Sequence, residues 1–312
     1  MFTVPEVSTP AAGKVVVRNH FLGINATDIN LTAGAYTGAL PPPFGCCLEA
    51  AGIVSAIGEG VTNVKVGDAV AYQKFGAFTE YLEVPSANLI KTPELSPAVL
   101  TMTVGGISAS VALEQIGEMK SNETVFVSAA AGGTGQFVVQ LTKLAGNHVI
   151  GTCSSNAKVE HLKKLGCDRV INYTKEDVDA VLKKEYPSGV DLVFETVGGD
   201  MFKAVTGNLA VHARVIVFGY ISGYHGDKSA EPMLVNHLNP TLLMKSASVR
   251  GFLLQNHAKF IPAHIERLLK LMAEGKLNPG VDPTEFRGLE RMRMFQMVIA
   301  LDVEGHAVIP AA

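Results

Sequence analysis

The segment TVFVSAAAGGTGQFVVQLTKLAG, residues Thr124–Gly146, decides the fold class of this chain. Its β-branched apolar start predicts a strand, its run of small residues predicts a tight turn, and apolar residues at helical spacing predict a helix. A strand, a glycine-rich turn and a helix in this order can hold a diphosphate. The turn lets the backbone approach the ligand, and the first N–H groups of the helix face its negative charge.

Small residues occupy the three key positions of a dinucleotide fingerprint in this turn. They are Ala130, Gly132 and Gly135, and Gly133 and Thr134 complete the loop. We therefore predict that all five bind a dinucleotide cofactor. The alternative is a small-residue turn of an α/β protein that binds nothing, and Ala130 in place of the first glycine weakens the fingerprint.

Strand and helix patterns alternate around this segment, which predicts a parallel, doubly wound sheet and an α/β fold class. The sequence predicts a helix over Leu95–Gly117, with Ser96 as its N-cap, and further helices between the strands. The predicted strands are Thr124–Val127, His148–Thr152, Arg169–Ile171, Val190–Glu195, Arg214–Phe218 and Ser248–Phe252.

The first part of the chain has a different texture. Residues 14 to 90 are rich in β-branched runs and turn glycines, which predicts a compact and mostly β unit. We expect the tail, with a helix over Ile261–Glu274 and an apolar run at Ala307–Ile309, to return to this unit. The predicted domains are therefore residues 1–97 with 254–312, and residues 98–253.

Composition excludes several classes of function. The chain has 312 residues, a net charge of −3 and no block of basic residues, so nucleic-acid binding has no electrostatic support. The best membrane-span candidate, Leu209–Tyr220, is interrupted by His212 and Arg214, so we predict no span. Four poorly spaced cysteines and a polar N-terminus without a signal peptide predict a cytoplasmic protein with reduced thiols.

Several segments, in this order along nearly the whole chain, resemble the medium-chain dehydrogenase/reductase superfamily and its quinone-oxidoreductase-like branch. The resemblance implies a GroES-like, mostly β catalytic domain and a Rossmann domain that binds NADPH. It also implies a homodimer formed through the edges of the Rossmann sheets. The segments are Gly23–Asp28, Leu48–Tyr72, Gly76–Val84, Ser128–Gln136, Lys164–Tyr173, Phe194–Gly199 and Val217–Tyr224.

Zinc is not expected in this chain. The resemblance implies that zinc-containing members carry cysteine at the position of Asn25 and a His-Glu pair at that of Leu48-Glu49, and neither Asn25 nor Leu48 is a plausible ligand. Other departures are Cys47, where the family has glycine, and Ile107 and Ser110, where threonine and tyrosine are common near the nicotinamide.

The cofactor is predicted to be NADPH rather than NADH. The second strand of the α/β region ends without the acidic residue that NAD sites use to bind the ribose hydroxyls, and Ser154 and Lys158 follow it. A lysine and hydroxyl groups suit a 2′-phosphate, and the resemblance places Tyr173 beside that phosphate. The alternative for Lys158 is an ordinary solvated lysine on a helix.

Four further residues are expected along the ribose and nicotinamide. The resemblance implies this role for Val197, Phe218, Phe252 and Leu253, each near the end of a predicted strand. The alternative for all four is core packing.

The resemblance implies reduction of the C=C bond of small-molecule α,β-unsaturated ketones and aldehydes, with hydride added to the β-carbon. Tyr224 is the first candidate for stabilising the enolate or binding the ribose, and Asn25 and Tyr36 are second-rank catalytic candidates. The alternative for Tyr224 is a loop tyrosine that merely covers the cofactor, and the alternative for Asn25 is a residue that caps a turn. Quinone reduction is a rival activity. A rival of another class is an NADPH-binding structural or interaction protein with little turnover.

Overall fold

A computed structural model describes residues 9–32, 44–223, 237–281 and 307–310 of the chain. The chain divides into two compact units, Met1–Val104 with Pro279–Ala312, and Gly105–Asn278. Both boundaries fall later than the predicted 97/98 and 253/254. The second one shifts because the helix Ile261–Ala273 packs against the helix Ile107–Gln115 inside the second unit.

The first unit is mostly β. Its inward-facing residues form a core around Val15, Val17, Leu22, Val54 and Tyr72, all at most 1% exposed. Its elements up to the boundary are β1 (Lys14–Ile24), α1 (Ala26–Thr32), β2 (Glu49–Ile57), β3 (Ala69–Gln73), β4 (Tyr81–Pro85), β5 (Leu89–Lys91) and α2 (Pro97–Thr101).

The predicted helix over Leu95–Gly117 is interrupted. Ser96 caps its start by accepting a hydrogen bond of 3.2 Å from the N–H of Ala98. After α2 comes a π-helical turn, Met102–Gly106, and then α3 (Ile107–Gln115). Among the described residues, Pro97–Gln115 is long and apolar enough to cross a membrane, but 78% of that window is buried inside the protein. We therefore interpret it as a core helix, and the choice of Leu209–Tyr220 as best candidate was wrong.

The second unit alternates strands and helices. Its six strands form one sheet in the order β11-β10-β9-β6-β7-β8, with every neighbouring pair parallel, which confirms the predicted doubly wound sheet. The elements are β6 (Thr124–Val127), α4 (Gly135–Leu144), β7 (His148–Cys153), α5 (Asn156–Leu165), β8 (Arg169–Asn172), α6 (Val178–Glu185), β9 (Val190–Glu195), α7 (Gly199–Thr206), β10 (Leu209–Val217), α8 (Leu238–Lys245), β11 (Ser248–Gly251) and α9 (Ile261–Ala273).

Strand β6 lies where the winding of this sheet reverses. It pairs with β7 on one side and with β9 on the other, so the chain runs outward from β6 in both directions. Ligands of doubly wound sheets bind at the carboxyl ends of the strands at such a switch point. The glycine-rich turn that follows β6 is therefore in the position of a ligand site.

The tail returns to the first unit through a short strand, β12 (Ala307–Pro310). This strand pairs antiparallel with β1, from Ile24 opposite Ala307 to Phe21 opposite Pro310. The antiparallel sheet has the order β12-β1-β2-β3-β5, and β4 also pairs with β1. The expected return of the apolar run near the C-terminus is thus observed, whereas α9 belongs to the second unit.

Candidate functional site

The turn after β6 is held by backbone hydrogen bonds to the neighbouring strands. The N–H of Ser128 donates to the carbonyl of Phe194 at 3.0 Å, and the N–H of Ala130 donates to the carbonyl of Thr152 at 3.0 Å. Residues 129 to 134 therefore cross the carboxyl ends of the strands as a fixed loop. Gly133 and Thr134 lie directly before α4, and no hydrogen bond from the Thr134 side chain caps this helix.

Two glycines of the turn allow close packing that a side chain would prevent. A Cβ atom on Gly135 would lie 2.4 Å from the carbonyl oxygen of Ala129 and 2.8 Å from the Cα of Ala130. A Cβ on Gly132 would lie 3.2 Å from the same Ala129 oxygen. The start of α4 can therefore approach the turn only with glycine at 135, and its N-terminal N–H groups lie at the switch point, where they fit a diphosphate.

The predicted 2′-phosphate residues follow the carboxyl ends of β7 and β8. The ammonium of Lys158 donates to the hydroxyl of Ser154 at 3.1 Å, and the N–H of Tyr173 donates to the carbonyl of Cys153 at 3.1 Å. The Tyr173 side chain is 47% exposed. The paired cation and hydroxyl of Lys158 and Ser154 would fit a phosphate dianion.

A buried glutamate shapes the loop after β9. Glu195 is fully buried and accepts hydrogen bonds from the N–H of Val197 at 3.0 Å and from the N–H of Gly198 at 2.9 Å. Burial raises the pKa of its carboxyl group. The carbonyl of Val197 in turn accepts a bond of 2.6 Å from the hydroxyl of Ser222. Val197 therefore lies in a loop of fixed shape at the same edge of the sheet as the glycine turn.

Aromatic rings follow the ends of β10 and β11. The ring of Phe218 lies 4.9 Å from that of Phe194 and 5.6 Å from that of Phe252, between centroids. Leu253, the next residue, is 55% exposed. Phe194 is fully buried, whereas Phe218 and Phe252 are half-buried, so their core packing and a contact with a ligand are both compatible with the structure.

In the first unit, a second polar cluster surrounds Asn25. The amide nitrogen of Asn25 donates to the carboxylate of Glu49 at 2.8 Å, and the backbone N–H of Asn25 donates to the carboxylate of Asp28 at 2.8 Å. Asp28 thus caps the start of α1. The side chain of Asn25 is oriented by its hydrogen bond to Glu49.

Glu49 is the most buried acid of this cluster. Its carboxylate, 0% exposed, also accepts hydrogen bonds from the hydroxyl of Thr103 and from the N–H of Val104, the latter at 3.1 Å. Desolvation dominates over these bonds and raises the pKa of Glu49 to about 7. Burial likewise raises the pKa of Asp28 to about 7. Two acids whose pKa values burial raises therefore both accept hydrogen bonds from Asn25.

Cys47 adopts the conformation that glycine would adopt more easily. Its φ is +72°, in the left-handed region, which explains why the family pattern has glycine there. Its thiol lies 3.1 Å from the carbonyl oxygens of Gly23 and Glu49, and burial raises its pKa well above the usual value. A Cβ on Gly23 would lie 2.2 Å from the carboxylate of Glu49. Cys47 and Gly23 thus pack closely around Glu49.

The described residues contain no group of three His, Cys, Asp or Glu side chains arranged to hold a metal ion. Asn25 presents its amide nitrogen to Glu49, which a bound cation could not share. The donor set around Glu49 does not fit a zinc centre of the kind that the resemblance would imply.

Two of the predicted catalytic residues, Tyr36 and Tyr224, lie outside the described residues. Ser110 stands where the resemblance implies a tyrosine. Its hydroxyl lies 2.7 Å from Nδ1 of His264 on α9, and both residues are at most 4% exposed. Ile107 is 1% exposed and belongs to the core.

The sequence reasoning missed two acids that shape both clusters. Glu49 was considered only as half of an absent zinc pair, and Glu195 was considered only as part of a strand. The available signal was an acid at the end or beginning of an apolar strand, FE at Phe194-Glu195 and EAAGIV at Glu49–Val54. Charged residues are rarely buried unless they are hydrogen-bonded. An acid at the end of a buried strand therefore indicates that its carboxylate accepts hydrogen bonds from the neighbouring loop.

Comparison with known proteins agrees with this architecture. The family described as "Alcohol dehydrogenase GroES-like domain" matches residues 11–94, and the family described as "Zinc-binding dehydrogenase" matches residues 133–274. The chain is 49% identical to prostaglandin reductase-3 of Mus musculus over 88% of this chain and 74% of that protein. It is 31% identical to the NADP(+)-dependent 2-alkenal reductase of Nicotiana tabacum, over 88% of this chain and 79% of that protein.

Among solved structures, the quinone oxidoreductase of Escherichia coli complexed with NADPH superimposes with a TM-score of 0.84. The two chains are 26% identical, and the match covers 99% of this chain and 94% of the other. The antiparallel unit and the parallel unit therefore correspond to the GroES-like and Rossmann domains that the resemblance implied. The chain belongs to the medium-chain dehydrogenase/reductase superfamily, in its quinone-oxidoreductase-like branch.

Proposed function

We propose that this chain is a zinc-independent, NADPH-dependent reductase of the C=C bond of α,β-unsaturated ketones and aldehydes. The observation that supports it best is the glycine turn at the switch point of the sheet, with Ser154, Lys158 and Tyr173 at the neighbouring strand ends. The relatives named prostaglandin reductase-3 and NADP(+)-dependent 2-alkenal reductase support the substrate class.

Three groups of residues are proposed to bind different parts of the cofactor. Ala130, Gly132, Gly133, Thr134 and Gly135 hold the diphosphate through backbone N–H groups. Ser154, Lys158 and Tyr173 hold the 2′-phosphate, and Val197, Phe218, Phe252 and Leu253 line the ribose and nicotinamide. When bound there, NADPH supplies the hydride for the β-carbon.

The protein must then stabilise the negative charge that develops on the carbonyl oxygen of the substrate. Asn25 is a candidate donor whose amide Glu49 orients, and Tyr36 and Tyr224 are the other proposed candidates. Removal of one such donor costs about 2.7–4 kcal/mol of transition-state stabilisation in acyl-transfer enzymes, and a similar or smaller effect is expected here.

The decisive assay measures NADPH oxidation with a panel of enones, enals and quinones, and identifies each product by mass spectrometry. A saturated ketone or aldehyde supports the proposal. Hydroquinone formation alone would favour quinone reduction, which the match to the Escherichia coli quinone oxidoreductase supports as a second candidate. Tight NADPH binding without turnover across the panel would indicate that the chain is an NADPH-binding structural or interaction protein.

A homodimer and a cytoplasmic location are further proposals. Strand β11 lies at an edge of the parallel sheet, and the nearby helix α8 exposes Leu243 by 79% and Met244 by 78%. An exposed edge strand beside large apolar side chains supports pairing with a second copy. Light scattering that gives the mass of a single chain at micromolar concentration would contradict the dimer.

A further inference from the structure

A stack of aromatic rings continues from the carboxyl edge of the parallel sheet into the segment after β11. Phe252 stacks on Phe218 with 5.6 Å between centroids and 13° between ring planes. His257 stacks on Phe252 at 5.4 Å and 17°, and on Phe260 at 6.3 Å and 28°. The imidazole of His257 therefore has stacked contacts with two benzene rings.

This arrangement fixes the direction in which His257 can act. Because the ring nitrogens lie in the plane of the imidazole, Nδ1 and Nε2 are reached at the edge of the stacked ring. Neither nitrogen has a hydrogen-bond or ion-pair partner within residues 9–32, 44–223 and 237–281. The ring is only half-buried, so its polar edge remains accessible to solvent and to a ligand.

The stack starts at the proposed nicotinamide position. The N–H of Phe252 donates to the carbonyl of Val217 at 3.0 Å, so the stack begins directly beyond the ends of β10 and β11. Lys259 lies with its ammonium 4.8 Å from the ring centroid of Phe260, at the far end. His257 is thus the titratable group that this stack holds next to Phe252, one ring away from the expected path of the nicotinamide.

We propose that His257 is the acid that donates the proton to the α-carbon of the substrate. This inference rests on the proposed function. The hydride adds to the β-carbon, the π electrons of the C=C bond move toward the carbonyl oxygen, and an enolate results. The enolate then takes the proton from the protonated imidazole at its α-carbon, and solvent reprotonates the neutral imidazole. Histidine is the most common residue in this role.

The test uses an enone with a methyl group on its α-carbon, because protonation then creates a stereocentre. The full chain should give one enantiomer in excess. His257→Phe keeps an aromatic ring in the stack but removes the acid, so kcat should fall by about a hundredfold and water should protonate both faces, which gives a racemic product. His257→Gln should give the same two changes, and replaces the first variant if that one does not fold.

Two controls separate this proposal from a general loss of structure. His161→Phe makes the same substitution at an exposed histidine on α5 and should change neither kcat nor enantiomeric excess. If the chain also reduces quinones, His257→Phe should leave that turnover within about twofold, because the oxygens of a hydroquinone exchange protons with water freely. The affinity for NADPH should be the same in His257→Phe and His161→Phe as in the wild type.

Different experimental results would contradict this proposal and the proposed function. Unchanged kcat and enantiomeric excess in both His257 variants would overturn the role of His257 and leave the reductase intact. A wild-type chain that reduces no enone in the panel would overturn both. Equal losses of enone and quinone turnover would also contradict the proton-donor role, since they would indicate damage to cofactor binding.

Discussion

The two units build their sites in opposite ways. In the second unit, the glycine turn, the start of α4 and the loop that Glu195 holds offer mainly backbone to the candidate site. In the first unit, the cluster around Asn25 is made of side chains, with Glu49 at its centre and 0% exposed. The glycine turn therefore depends on the absence of side chains, whereas the cluster around Asn25 depends on the ionisation of a few.

The two units should therefore respond to different kinds of change. Added volume should damage the second unit, whereas pH and removal of an acid should affect the first. Four substitutions test this contrast.

The largest effect is expected from Glu49→Gln in the first unit. Burial raises the pKa of Glu49 from 4.5 to about 7 in the folded state, so folding favours its protonated form. Its stabilising contribution is present below the unfolded pKa and is lost as pH rises through about 7. As pH rises from 4.5 to about 7, the unfolding free energy of the wild type should fall by about 3 kcal/mol relative to that of Glu49→Gln.

Urea unfolding from about pH 5 to about pH 8 measures this difference. Asp28, whose pKa burial also raises to about 7, is present in both proteins, so the comparison reports chiefly on Glu49. Parallel pH curves for the wild type and Glu49→Gln would show that the carboxyl group titrates as an exposed one does.

Gly135→Ala should produce the next largest effect, in the second unit. The new Cβ would lie 2.4 Å from the carbonyl oxygen of Ala129, and the backbone of the turn must move. We expect a loss of about 2–3 kcal/mol of stability and at least tenfold weaker NADPH binding. Gly132→Ala is the matched control, because its single close contact is 3.2 Å, and it should cost less on both measures. Equal effects would mean that the turn does not limit the approach of α4.

Lys158→Ala should weaken NADPH binding by about tenfold and leave NADH binding unchanged, since a hydrogen bond to a charged group contributes about 1.5–3 kcal/mol. Lys163→Ala is the control on the same helix, where the lysine pairs with Glu160 at 2.9 Å. Isothermal titration with both cofactors measures the preference. Equal affinity of the wild type for NADPH and NADH would contradict the 2′-phosphate site.

The smallest effect is expected for Tyr224→Phe. Loss of one phenolic hydrogen bond should lower kcat several-fold without a change in melting temperature. Tyr81→Phe, which alters a 38% exposed tyrosine of β4, provides the control. Steady-state kinetics with the best enone of the panel measure the effect, and identical constants for Tyr224→Phe and wild type would remove this residue from the mechanism.

The same contrast explains what could be predicted from the sequence. Parallel strands and glycine turns leave local patterns, so β6 was predicted with its observed bounds, and the turn and the helix after it were predicted in their observed order. The partner of Ser110 could not be predicted, because His264 lies 154 residues away along the chain. The hydrogen bonds of Glu49 likewise connect Asn25 and Thr103, which only the folded chain brings together. The interruption of the predicted helix at Met102–Gly106 did have a local signal, because Gly105 and Gly106 are unfavourable inside a helix.

A crystal structure of the chain with NADPH tests the central claim most directly. The account predicts the diphosphate on the turn from Ala130 to Gly135, the 2′-phosphate between Ser154 and Lys158, and the nicotinamide beside Phe252. Crystals soaked in excess NADPH that show no cofactor at the switch point of the sheet, or a cofactor bound elsewhere, would contradict it.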